Sequence, residues 1–116
     1  AEDEFKNESS PYIMITIPAE NITVQGQNLN NIYNQEWTIY TDANYTQEIE
    51  KCTITREGRW GSTYYLNVPS LKIHNEVTML YFVCRYNNYT YYGEMSITEL
   101  TEAQQNSGKV LNISRK

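Results

Sequence analysis

The chain has 116 residues, a formal charge of −5 and a pI near 4.8. That length supports one domain with one modest core. The acidic balance disfavours nucleic acid, the scattered Lys and Arg form no polybasic patch, and no apolar run reaches a membrane span, so this segment is not expected to insert into a bilayer.

In chain order, residues 1–10 are acidic and polar and read as a flexible leader, with Ala1 as a mature N-terminus. Ile13, Ile15 and Ile17 alternate as a first strand after Pro11, and Pro18 ends it. Residues 21–24 form a short second strand, and 25–28 a turn. Residues 36–40 form a third strand, 41–44 a turn, 47–55 a fourth strand and 56–59 a turn. Residues 62–68 and 69–73 follow as strands, with 74–76 as a turn. Residues 78–86 carry the strongest strand pattern, 87–89 a hairpin tip and 91–98 the return strand. Residues 104–108 read as loop. Val110, Leu111 and Ile113 belong to a last strand or a tail. No helical period exceeds two turns. Seven to nine short strands with frequent turns predict an all-β antiparallel sandwich. The domain is expected over 11–100, with 101–116 a C-terminal strand or the start of a stalk.

Five Asn-x-Ser/Thr sequons occur, at Asn7, Asn21, Asn44, Asn88 and Asn112, where thirteen Asn in this composition would give about two by chance. Such sites are used only in the secretory pathway, so the chain is expected to be secreted or on the extracellular face of a cell or virion membrane. In that oxidising compartment Cys52 and Cys84 are expected to form a disulfide contributing about 3–4 kcal/mol.

The segment 66–71 (Leu-Asn-Val-Pro-Ser-Leu), a polar turn and then Tyr81-Phe82-Val83-Cys84 resemble the E-to-F passage of an immunoglobulin-like domain. Trp37 stands where such a domain carries its strand-C tryptophan. The resemblance covers roughly 12–98 and implies strands B at 22–24, C at 36–40, E at 63–71, F at 79–86 and G at 92–98, closer to the variable type. Two departures stand out. The strand-B cysteine is missing near Val24, its place taken by Cys52 after the tryptophan, and Phe82 occupies the tyrosine-corner position. Two strands apart in one sheet, Cys52 and Cys84 would have Cα atoms about 10 Å apart, too far for a disulfide. Cys52 is therefore expected near a strand edge or on the facing sheet. The order Trp37, Cys52, Cys84, Asn88 resembles the cytomegalovirus glycoproteins with a single immunoglobulin-like domain, related in design to adenovirus early-region membrane glycoproteins. That implies a viral surface or secreted protein binding a host immune receptor or antibody. A host immunoglobulin-superfamily receptor or adhesion domain, able to self-associate, and another secreted β-domain are the other readings.

The residues argue against an enzyme. His74 is the only histidine and falls in a polar turn, and no nucleophile elbow accompanies Ser62 or Ser70. Cys and His together number three, short of a zinc set, and no glycine-rich phosphate loop occurs, so no metal or cofactor is expected. Tyrosine stands out instead, with eleven residues. If Cys84 points inward, so do Leu80, Phe82 and Tyr86, leaving Met79, Tyr81 and Val83 outward; an inward Trp37 leaves Tyr40 outward. Tyr40, Tyr81 and Val83, extended by Met79 and Tyr91, are thus the expected partner-binding face. The alternative is that the C-terminal segment or a long loop covers it.

Overall fold

The computed structural model describes residues 11–58 and 62–116. The expected leader and Asn7 lie outside them. The chain runs β1 (Tyr12–Ile15), β2 (Ile22–Gln25), α1 (Leu29–Ile32), β3 (Trp37–Tyr40), β4 (Glu48–Glu57), β5 (Thr63–Asn67), β6 (Leu71–His74), β7 (Met79–Tyr86), β8 (Tyr89–Ser96), α2 (Ile97–Gln104) and β9 (Lys109–Arg115). The fold is mostly β. Among the described residues no helix is long and apolar enough to cross a membrane.

Strand alternation builds the core. Leu80, Phe82 and Cys84 of β7, Trp37 and Ile39 of β3, and Cys52 and Ile54 of β4 are all buried in one cluster. Ile22 and Val24 of β2 and Leu111 and Ile113 of β9 close it from the far side. Seven strands pair in the cyclic order β2-β5-β4-β3-β7-β8-β9, while β1 and β6 form a separate antiparallel ribbon. The cycle closes because β2 pairs with β5 on one edge and runs parallel to β9 on the other. In place of the two facing sheets of the expected sandwich, hydrogen bonding joins these strands into a barrel. The approach of β9 to the chain after β2 is close enough that a Cβ on Gly26 would lie 2.7 Å from the Ile113 carbonyl oxygen, so glycine is needed there.

Three local features explain the connections. Asn87 and Asn88 both adopt positive φ (56° and 68°) between the paired Tyr86 and Tyr89. That is a type I′ two-residue hairpin, and Asn tolerates the left-handed region better than other non-glycine residues. The expected return strand 91–98 ends early, because Ser96 caps a helix. Its hydroxyl accepts from Glu99 N, and the Glu99 carboxylate accepts from Ser96 N at 3.1 Å. This capping box, followed by buried Leu100 and Ala103, turns 97–104 into α2. Finally, residues 109–115 are an internal barrel strand, held by β2 on one side and β8 on the other.

Candidate binding face

β3, β7 and β8 are neighbours, and their outward residues form two rows. Tyr40 pairs with Tyr81, which pairs with Glu94. Thr38 pairs with Val83, then Tyr92, then Ser114 of β9. Directly opposed residues share a face, so the parity expected for Tyr40, Met79 and Tyr81 holds: all three are partly exposed, outside the core cluster. Val83 is also outside that cluster, yet only 2% exposed. Its cover lies on the outer surface.

The ring that packs on the outward neighbours of Val83 comes from the loop after β3. Tyr45 lies 5.7 Å from Tyr40, 6.1 Å from Tyr81 and 5.4 Å from Tyr92, measured between ring centroids. The first two contacts are edge-to-face, with interplanar angles of 69° and 85°, the geometry aromatic quadrupoles favour. Tyr45 reaches this position from a left-handed backbone (φ 58°). Asp42 fixes the loop. Its carboxylate accepts from Thr46 N at 2.9 Å, Gln47 N at 2.8 Å and the Thr46 hydroxyl at 2.6 Å. Thr41 N also donates to the Gln47 carbonyl at 3.0 Å. The Thr46 hydroxyl, helped by the backbone donors, holds the Asp42 carboxyl below its ordinary pKa. Burial raises the Tyr45 phenol, with Tyr92, Glu94 and Tyr81 adding in that order.

The C-terminal end borders the same face. Lys116 Nζ stands 5.1 Å from the Tyr92 ring centre. Between Tyr45 and β9 lies a cleft of about 220 Å³ lined by Tyr45, Tyr92, Gly93, Glu94, Asn112, Ser114 and Lys116.

Tyr91 does not extend the face. It is opposite Cys84, 3% exposed and part of the core, and its hydroxyl accepts from Asn28 Nδ2 at 3.2 Å. Tyr92 is the outward residue. The two-residue turn fixes this parity, and the pairing of Tyr86 with Tyr89 was available from the Asn87-Asn88 signal. Tyr45 carried no such signal, since its role depends on how the loop folds back.

The cysteine expectation needs a larger correction. Cys52 pairs with Trp37, and the β3–β7 register, continued by one residue, sets Trp37 beside Cys84. Cys52 is therefore in mid-strand of β4, neither at an edge nor on a facing sheet, with β3 between it and Cys84. That spacing is about 10 Å between Cα atoms. Both are free thiols buried against the core. Burial, followed by the effects of Cys84 and Glu50, pushes Cys52 up to about 12, and burial pushes Cys84 up to about 11. Trp37 Nε1 between them has no hydrogen-bond partner among the described residues.

Three of the expected glycan acceptors are exposed: Asn44 in the Tyr45 loop, Asn88 at the hairpin tip and Asn112 on β9. Asn21 is different. Its Nδ2 donates to the Ala103 carbonyl at 2.7 Å and to Asn106 Oδ1 at 3.1 Å, clamping the end of α2. His74 sits at the end of β6, where its Nδ1 accepts from Glu76 N at 3.1 Å and its ring meets Tyr12 edge-on at 5.5 Å. No family model, no curated protein and no solved structure matches the chain.

Proposed function

We propose that this is an extracellular, glycosylated, immunoglobulin-like module, without catalytic activity, that binds another protein through the outer face of β3, β7 and β8. The observation that carries the reading is the assembly of Tyr40, Tyr45, Tyr81 and Tyr92 on that face, one ring touching the other three. Tyrosine combines large contact area, low rotamer entropy and a hydroxyl, the properties enriched in protein interfaces. Partly exposed Met79 adds an adaptable apolar contact. Adjacency of β3, β7 and β8 and the fully buried Trp37 support the immunoglobulin-like reading, with the strands closed into a barrel. The exposed acceptors Asn44, Asn88 and Asn112 support passage through the secretory pathway. With the Trp37, Cys52, Cys84 order, the partner class is a host immune-cell protein or antibody bound by a viral glycoprotein. A host adhesion domain is the second reading, favoured if the domain captures its own copies.

The test is capture of leukocyte surface proteins and immunoglobulin by the glycosylated domain, followed by affinity measurement with Tyr40→Ala and Tyr81→Ala. Truncating a central aromatic anchor costs about 2 kcal/mol, or roughly 30-fold in affinity. Unchanged affinity in both variants, with the fold intact, refutes the assigned face.

A further inference from the structure

We propose that the first N-acetylglucosamine attached to Asn112 seats in the cleft beside β9 that Tyr45 and Tyr92 line, and holds the 42–47 loop against the sheet. This rests on the secretory reading above, since only that pathway delivers the sugar. There a lipid-linked oligosaccharide diphosphate is the donor: the sugar C1 bonds to Asn112 Nδ2, the lipid diphosphate leaves, and one amide proton is given up.

The geometry favours Asn112 over the other acceptors. Asn112 and Ser114 both line the cleft and are exposed, while Ile113 between them turns into the core at 7% exposure. The acceptor and the hydroxyl of the sequon thus open on the same side as Tyr92, which pairs with Ser114. Asn21 Nδ2 is spent on two hydrogen bonds inside the fold, whereas Asn112 is exposed and lines the cleft with Tyr45 and Tyr92. A volume of about 220 Å³ is the scale of a single pyranose ring. Aromatic rings attract the C–H face of a sugar, and Tyr45 and Tyr92 line the cleft; Lys116 Nζ, over the Tyr92 ring, must shift for a sugar to stack on it. At the rim, Glu94 offers acceptors for the acetamido N–H or a hydroxyl, and Lys116 offers donors. A sugar bound there bridges β9 to Tyr45, and so ties the loop to the barrel.

The experiment uses the domain secreted from animal cells, with its glycans trimmed to a single N-acetylglucosamine. Wild type and Ser114→Thr keep the sequon; Ser114→Ala removes it without altering Asn112. Mass spectrometry reads occupancy, and hydrogen exchange reads the amides of residues 42–47. The wild type and Ser114→Thr should exchange about fivefold more slowly than Ser114→Ala, as expected for one aromatic contact. Tyr92→Ala should erase the difference between sugar-bearing and bare forms. If Tyr92→Ala does not fold, the Ser114→Thr and Ser114→Ala pair still decides. Equal loop exchange with and without an occupied Asn112 overturns the inference. A bare Asn112 beside modified Asn44 or Asn88 also overturns it and leaves the secretory reading standing. No sugar at any sequon removes both.

Discussion

Replacing Tyr45 with alanine removes the ring that touches Tyr40, Tyr81 and Tyr92. Each aromatic pair contributes about 0.5–1.5 kcal/mol beyond area burial. The three pairs share one ring and are not independent, so their sum overstates the loss. Tyr45 is also only partly buried, which reduces the transfer contribution. The expected cost is about 2 kcal/mol. For a domain of this size that lowers the melting temperature by roughly 6–10 °C. Urea unfolding is the assay, with wild type and variant compared at constant glycosylation. The midpoint should fall with an unchanged slope, because the core cluster is untouched. A loss under about 0.5 kcal/mol, the ordinary range for a surface substitution, would refute the view that Tyr45 is a structural cover.

Neither thiol should react with an aromatic disulfide reagent at pH 8 in the native state, because Cys52 and Cys84 are buried and titrate near 12 and 11. Unfolding without reductant should release both thiols, and the release of none would restore the disulfide. The Asp42 carboxyl titrates below its ordinary 3.8, so the stability it lends the loop is full above that value and is lost as pH falls through the lowered one. Asp42→Asn should therefore loosen residues 42–47 at neutral pH and match wild type under strong acid. A gap between the two that persists in acid, read by loop exchange, counts against the staple.

Much of the fold was legible because strand parity is a local property. Leu80, Phe82 and Cys84 face the core because period-two alternation leaves them one side, and the same rule placed Tyr40 and Tyr81 outside. The α2 helix was missed: residues 97–98 read as the end of a strand because eight residues carry too little helical period, although the Ser96-x-x-Glu99 capping pattern ahead of Leu100 and Ala103 signalled it. Closure of the barrel was not legible. It depends on β2 meeting β9 through pairs 87 positions apart in the chain, a pairing that no local pattern encodes. The position of Cys52 failed for a related reason. A cysteine pair suggests proximity, but the register of β4 on β3 is set by Trp37 and the strands around it, and it puts a whole strand between the sulfurs.

The candidate face shows where locality ends. Parity put Val83 outward, yet it is buried beside Tyr81 and Tyr92, the two rings on which Tyr45 packs. On the proposed reading this cover shapes what the face can bind. A partner that needs the ring surfaces of Tyr81 and Tyr92 under Tyr45 must first lift Tyr45, and displacing contacts of about 2 kcal/mol lowers its apparent affinity roughly 30-fold. One that stacks on Tyr40, Tyr45 and Tyr81 as they stand meets a preorganised aromatic surface and avoids that cost. A sugar at Asn112 would deepen the bias by holding Tyr45 down and occupying the β9 side. The accessible remainder then lies toward Tyr40, Met79 and Tyr81, away from the C-terminal strand.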